Sequence, residues 1–432
     1  MAFLARRWAI IADDFTGAGD SSVQFRSAGK PVRLLLGEDL CKGGSRGNVA
    51  AVVVDTDTRF LPSQEAYDRV YRKTGELRLK GARWFFKKID STLRGNPAEE
   101  TAAVMDAAGY RFAIVAPSAP RNKRTVLEGI CYVAGQPVAD TAMGRDPFTP
   151  VTESSVVRIM EKRFPGEVAH LDIHVVRSGI GSLRASVLEG LSAGRRVFVA
   201  DAETMEDLRS LASLSTIGGG LFVGSSGLAE AVANRPAFES PALPSIPMGK
   251  ILFIIGSITP TSKAQCDVLA QLPAVAEITA DPWAILSDPE EEKRRILGAL
   301  SSASRKCAIL LRTGEAIRSG VPGFGEKDVG SAISRFLGDL SLEIAALRGT
   351  RFLFASGGDS AARIASRLGA ECIDFISELL PGLPFGYFRS GVFNKRIYFA
   401  SKAGGFGDKD ALAKSLSMVA ASRVLDIKKQ EL

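Results

Sequence analysis

No C-x-x-C pair occurs among the five cysteines, Cys41, Cys131, Cys266, Cys307 and Cys372, which lie far apart along the chain. That spacing builds neither a zinc site nor a disulfide framework, so the thiols read as reduced core residues. Histidine is scarcer still, with only His170 and His174. Residues 171–176 alternate in the manner of a strand, which takes the two imidazoles off a common helical face and predicts structural histidines, not metal ligands. No apolar run approaches the roughly 18 residues of a membrane helix. Arg6 and Arg7 precede an apolar stretch, but that stretch is short and Asp13 and Asp14 end it, so it reads as a first strand and not as an export signal. The expected location is the cytoplasm, with no membrane partner.

The formal charge is +7, yet no block of consecutive Lys and Arg gathers it, which argues against a nucleic-acid partner. No G-x-x-x-x-G-K-[ST] sequence exists, which excludes a P-loop enzyme. A strand followed by G-x-G-x-x-G and a suitably placed acid is also missing, which argues against a nicotinamide dehydrogenase. No short-period repeat suggests a solenoid.

What is present is 432 residues of ordinary globular composition, long enough for two domains. Short apolar runs at 8–12, 32–36, 50–54, 83–87, 112–116, 171–176, 196–200 and 221–223 alternate with helix-like segments, one of them opened by Asn96 as cap and Pro97 at its first position. Pro236, Pro241, Pro244 and Pro247 then mark a linker over 236–248. The alternation restarts at 251–255, 307–312, 351–355 and 396–400, with a helical stretch over 328–347. The expected fold is α/β in two domains, 1–235 and 249–432, each a parallel or mixed sheet flanked by helices, with the active site in the cleft between them.

The first strand runs into Asp13-Asp14-Phe15-Thr16-Gly17-Ala18-Gly19-Asp20, where a strand hands over to a helix and ligands bind in open α/β sheets. Adjacent carboxylates there ask for a cationic or hydroxylated partner; Asp14 either accepts hydrogen bonds from sugar hydroxyls or removes a proton from an attacking one, and the pattern does not separate these roles. A second cluster, Lys88-Ile89-Asp90-Ser91-Thr92-Leu93-Arg94-Gly95, occupies the equivalent place after another strand. Lys88 and Arg94 suit a carboxylate, and Asp90, Ser91 and Thr92 suit hydroxyls. In the second half, Gly256-Ser257-Ile258-Thr259, Ser356-Gly357-Gly358-Asp359-Ser360 and Lys402-Ala403-Gly404-Gly405-Phe406-Gly407-Asp408 each follow a strand. Such turns wrap backbone N–H groups around phosphates, and three of them suggest a nucleotide.

The order of these motifs, together with Gly224-Ser225-Ser226-Gly227-Leu228-Ala229, resembles the four-carbon acid sugar kinase family over nearly the whole chain. The resemblance implies an enzyme that phosphorylates threonate, erythronate or 3-oxo-tetronate at the terminal 4-hydroxyl with ATP. Under it the N-terminal domain holds the sugar acid through Asp13, Asp14, Lys88, Asp90, Ser91 and Arg94. The C-terminal domain holds ATP through Ser257, Gly357, Gly358, Asp359, Ser360, Gly404, Gly405 and Gly407. Gly144-Arg145-Asp146-Pro147-Phe148-Thr149-Pro150-Val151 looks closest to threonate-type members. Two departures stand out: the basic trio Arg121, Lys123 and Arg124 where many relatives carry Gly-Arg-Thr, and Ser360 in place of the commoner Thr. The expected chemistry is in-line transfer from Mg2+-ATP, with Asp14 as base and Asp359 or Asp408 near the metal.

Two rivals frame this reading. Gly17-Ala18-Gly19-Asp20 matches the anion-hole tetrad of ribokinase-like sugar kinases, but there the tetrad lies late in the chain beside ATP. A sensing module that binds a sugar acid and a nucleotide without chemistry is the alternative of another class, and a homodimer is left open.

Overall fold

Buried strands of a parallel sheet need apolar side chains on both faces, and that demand shapes the first half of the chain. In a computed structural model describing residues 8–26, 31–36, 49–146, 149–233, 243–302, 306–314 and 326–424, two compact units emerge. The described residues from Trp8 to Ala233, save Leu35 and Leu36, form the first, and those from Leu243 to Val424 the second.

The first unit holds β1 (Trp8–Ala12), β2 (Val32–Leu35), β3 (Ala51–Asp55), β4 (Trp84–Lys88) and β5 (Phe112–Ala116). A small antiparallel trio follows, β6 (Arg124–Leu127), β7 (Ile130–Val133) and β8 (Gln136–Pro137), then β9 (Val168–Leu171), β10 (Val197–Ala200) and β11 (Gly220–Gly224). The main sheet runs β2-β3-β1-β4-β11-β5-β10-β9, and every pairing from β3 to β9 is parallel. The chain leaves β1 towards β3 on one side and returns to β4 on the other. That reversal opens a crevice at the carboxyl ends of β1 and β4.

The second unit contains β12 (Ile246–Pro247), β13 (Lys250–Ile255), β14 (Val275–Ala280), β15 (Ala308–Thr313), β16 (Thr350–Ser356), β17 (Cys372–Glu378), β18 (Pro384–Ser390), β19 (Lys395–Lys402) and β20 (Arg423–Val424). Its sheet is mixed: β14-β15-β13-β16-β19 is parallel, and β18 and β17 continue it antiparallel. Phenylalanines fill its core, with Phe253 stacked on Phe354 at 5.3 Å and Phe352 on Phe385 at 6.3 Å. A second reversal, between β13 and β16, places the turns after β13, β16 and β19 at one sheet edge.

Two sequence expectations are corrected. Residues 171–176 are not a strand: β9 ends at Leu171, and Asp172 caps the helix Ile173–Arg177 by accepting from the N–H groups of His174 and Val175 at 2.8 and 3.0 Å. A strong local cap there outweighs apolar alternation. Asn96 precedes the helix Pro97–Ala108 but makes no side-chain cap; its Nδ2 donates instead to the carbonyls of Thr58 and Leu61 at 3.2 and 2.9 Å. Much of the Pro-rich segment, with Pro236 and Pro241, lies outside the described residues, as do Cys41, Pro147 and Phe148.

Candidate functional site

At the crevice of the first unit, β1 delivers Asp13 and Asp14 one after the other. Asp14 caps the helix Phe15–Ser22, its Oδ1 accepting from Gly17 N at 2.9 Å. Arg59, buried beside them, binds both acids: Nε to Asp13 Oδ2 at 2.7 Å, and Nη1 and Nη2 to Asp14 Oδ2 and Oδ1 at 2.9 and 2.8 Å. The main-chain carbonyl of Asp13 fixes the same turn by accepting from Thr58 N at 3.0 Å. Arg59 also lies 3.8 Å from Asp90, which accepts from Thr92 Oγ1 and from Arg94 Nε at 2.8 Å. The loop carrying these groups holds Leu93 at φ 65° and Gly95 at φ 88°, a left-handed pair that a leucine adopts only when its surroundings enforce it.

Lys88, at the end of β4, is also buried. A Cβ on Gly17 would lie 2.5 Å from Lys88 Nζ and 2.6 Å from Asp14 Oδ1, so glycine is what lets the amine reach this turn. The structure therefore brings Asp13, Asp14, Lys88, Asp90 and Arg94 together around Arg59. Ser91 joins through Arg124, whose Nη1 donates to Ser91 Oγ at 2.8 Å. Of the basic trio, Arg124 alone turns inward: Lys123 is exposed, and Arg121 is exposed and paired with Glu230 at 2.7 Å.

Charge is unevenly met here. Burial alone would raise Asp13 and Asp90, but Arg59 and the two lysines outweigh it at Asp13, and Arg94 with Arg59 holds Asp90 well below the usual carboxylate range. Asp20 goes the other way. Burial raises its carboxyl, opposed by Lys88, a hydrogen bond from Ser226 and Arg124. Asp55, at the end of β3, is raised well above its ordinary value by burial and then by Asp14. Two buried polar atoms, Asp13 Oδ1 and Arg124 Nε, have no hydrogen-bond partner.

Sequence reasoning missed Arg59 as a site residue, marked Arg124 only as one of a basic trio whose direction it left open, and set Asp20 aside with its tetrad. Arg59 sits in a polar loop after β3 with no glycine-rich signature. Only tertiary contact marks it. The two histidines do not meet: His170 Nε2 lies 2.9 Å from Asp201, whose other hydrogen bonds come from the N–H groups of Glu128 and Gly129 at 2.9 Å each, bracing the β6–β7 turn. Among the described residues no three His, Cys, Asp or Glu side chains are grouped to hold a metal.

In the second unit the three turns interlock. Thr259 caps the helix Pro260–Ala270, and its Oγ1 lies 3.2 Å from Ser257 Oγ. A side chain on Gly404 would strike Ser257, and one on Gly256 would lie 2.5 Å from Ser360 Oγ. Gly357, at φ 100°, precedes the helix Gly358–Arg367, whose N-terminal end presents backbone donors and the positive end of its dipole. Asp359 is exposed in its first turn, and Ser360 is buried against Ser334 at 3.2 Å. Buried Lys402 donates to the carbonyls of Ala403 and Gly404 at 2.8 and 2.9 Å, and burial lowers its amine to about 8. Gln265 Nε2 holds the rest of the turn through the carbonyls of Phe406, Gly407 and Asp408 at 2.9, 3.1 and 2.9 Å. Ser257, Gly357, Gly358, Asp359, Ser360 and Gly404 thus share one edge, while Gly405 and Gly407 are exposed in the last turn.

Comparison with known proteins follows the same division. Residues 8–232 match the profile of a sugar-binding N-terminal domain and residues 252–412 that of a nucleotide-binding C-terminal domain. The chain is 32% identical to the D-threonate kinase of Cupriavidus necator over 96% of its own length and 99% of the relative, and 30% identical to that of Salmonella typhimurium over 94% and 97%. It is 28% identical to the D-erythronate kinase of Heliobacterium modesticaldum over 93% and 94%. A crystal structure from Salmonella typhimurium, named for a tRNA synthase, superposes with a TM-score of 0.79 over 95% of this chain and 98% of that one. At 23% identity that likeness speaks for the fold alone. With both domains matched and relatives aligned end to end, the chain belongs to the four-carbon acid sugar kinase family and is a phosphotransferase acting on an alcohol group.

Proposed function

We propose that the protein transfers the γ-phosphoryl group of ATP to the terminal 4-hydroxyl of a four-carbon sugar acid, with D-threonate the preferred acceptor. The observation that carries the reading is the crevice of the first unit. Cations and carboxylates alternate there, and buried Asp13 Oδ1 and Arg124 Nε lack partners, an unmet demand that a polyhydroxylated acid satisfies. Lys88 and Arg94 suit the substrate carboxylate, while Asp13, Asp14, Asp90 and Ser91 suit its hydroxyls. D-threonate is favoured over D-erythronate because the relatives at 30 and 32% identity carry that name, against 28% for the erythronate enzyme.

Transfer forms a bond between the acceptor oxygen and the γ-phosphorus, breaks the β–γ bridge and releases a proton. Asp14, the base expected from sequence, has both oxygens engaged by Arg59, and a carboxylate held by a guanidinium is a poor proton acceptor. Asp20, raised by burial and standing near Lys88, Ser226 and Arg124, suits that task better, leaving Asp14 to position the acceptor. In the second unit the donors around Ser257, Gly357, Gly358, Ser360, Gly404, Gly405 and Gly407 fit a triphosphate. Asp359 and Asp408, both exposed, offer the one or two carboxylates with which Mg2+ usually joins nucleotide phosphates. When bound, Mg2+ neutralises phosphate oxygens. The chain's own contribution is orientation and proton acceptance.

ADP release from Mg-ATP in the presence of D-threonate, D-erythronate, L-threonate and 3-oxo-tetronates tests the reading. Turnover highest with D-threonate is expected. Preference for another member moves the substrate assignment, and silence with every acid, while both ligands still bind, makes the chain a sensing module.

A further inference from the structure

Among the described residues of the second unit lies a cavity of about 420 Å³, far from the three nucleotide turns. It is lined by Arg351 near the start of β16 and by Lys395 and Arg396 at the start of β19, whereas Ser356 and Lys402 close the same strands at the nucleotide edge. At about 3.3 Å per residue, the two edges are separated by on the order of 15 to 20 Å along those strands. The cavity therefore belongs to neither candidate site described above.

Its walls are built from paired positions on the antiparallel part of the sheet. Tyr387 faces Tyr398 and Arg389 faces Arg396 across β18 and β19, and Asp374 on β17 faces Tyr387. Two arginines directly opposite one another repel, a like-charge pairing that works against the sheet. Arg351 and Lys395 add two more cations. None of these four makes an ion pair with a carboxylate among the described residues; Arg389 bonds the Asn394 side chain, Lys395 stands 5.0 Å over Phe393, and Arg396 lies over Tyr387 at 4.2 Å. The stacked guanidinium is held in one orientation, with its edge donors available. Burial and then the neighbouring Arg351 lower the Lys395 amine, a further sign of crowded positive charge.

We propose that this cavity is a second ligand site, taking a small hydroxylated phosphate ester through Arg351, Arg389, Lys395 and Arg396, with Asp374 and the two tyrosines reading its hydroxyls. The volume accommodates a small metabolite, and the cluster of cations selects a dianion over a simple carboxylate. A phosphorylated sugar acid has this chemistry, so the site is suited to sense a product of the phosphotransferase class to which the chain belongs.

The test is titration calorimetry at low ionic strength on the full chain and on an Arg389→Gln/Arg396→Gln double variant. The probes are threonate 4-phosphate, inorganic phosphate, D-threonate and a non-hydrolysable ATP analogue. Both residues are exposed, and relief of their mutual repulsion offsets loss of the Arg396 stack on Tyr387 and of the Arg389 bond to Asn394, so the melting temperature should stay close to that of the wild type. Saturable binding of the phosphate ester that weakens at least tenfold in the double variant, with the ATP analogue bound equally by both proteins, supports the site. Equal affinity of both proteins for the ester, or no saturable binding outside the crevice of the first unit, overturns it. Inorganic phosphate competing as well as the ester also sinks the hydroxyl-reading part. These readouts are binding constants, so they stand whether or not D-threonate proves to be the acceptor.

Discussion

Arg59 is the side chain on which the charge balance of the first unit turns. It is buried and contacts Asp13, Asp14 and Asp90 together. Removing one partner of such a buried set leaves uncompensated charge, at a cost of about 3 to 5 kcal/mol. Arg59→Met should therefore lower the unfolding free energy by about that amount and abolish turnover, as urea denaturation and ADP release will report. Lys in its place keeps the charge but loses the fork, so Arg59→Lys should recover most stability and little activity. Asp20 offers a sharper test. If it takes the proton, kcat rises with pH through its raised pKa in the native protein, and Asp20→Asn flattens that limb while leaving KM for the sugar acid within a few fold. An Asp14→Asn variant that flattens the limb instead would return the base role to Asp14.

His170 shows the opposite sign. Its hydrogen bond to Asp201, against a smaller effect of burial, raises the imidazole above its ordinary value. The stabilisation is fully present below the unfolded pKa of roughly 6.5 and is lost as pH rises through the raised folded value. Because the ring is partly exposed, the effect is screened to under about 1 kcal/mol. The gap in melting temperature between the wild type and His170→Ala should thus be wider at mildly acidic than at alkaline pH.

Elements decide how close these groups come. The helix Phe15–Ser22 begins with a glycine whose missing Cβ is the space used by Lys88 Nζ. A lysine tip can swing aside, and alanine is the better helix former by about 1 kcal/mol, which offsets the close approach to Asp14 Oδ1, so Gly17→Ala should fold with near wild-type stability. On the proposed reading it should nevertheless raise KM for the sugar acid at least tenfold, because the amine it displaces is the one assigned to the substrate carboxylate. In the second unit, Gly404→Ala meets Ser257 on a rigid turn, and there KM for ATP should rise. Apolar periodicity identified most main strands within a residue or so, since burial on both faces leaves few alternatives. It failed at β6 to β8, at the parallel edge strand β14 and at β17 and β18, strands that are short, interrupted by polar residues or paired antiparallel. It also failed at residues 171–176, where the Asp172 cap outweighed the alternation.

At the scale of the whole molecule the proposed reading divides the work between the two units. Substitutions at Lys88 or Arg94 should act on KM for the sugar acid alone, and those at Gly358 or Gly404 on KM for ATP alone. A matrix of the two constants over these variants checks the division, and a variant of either set that moves both equally would count against it.

Sequence by itself determined the two-domain α/β plan, the aspartate pair, the Lys88 to Arg94 loop and the glycine turns, because each follows a strand whose apolar run and terminal small residues are local properties. Only the tertiary structure decided that Arg59 binds the aspartates, that Arg124 and not Arg121 or Lys123 turns inward, that Asp20 is a half-buried acid near Lys88, and that a cationic cavity lies at the far edge of the second sheet. Those facts depend on strand order. A parallel sheet brings residues tens of positions apart to one edge, and no local pattern records which of them meet.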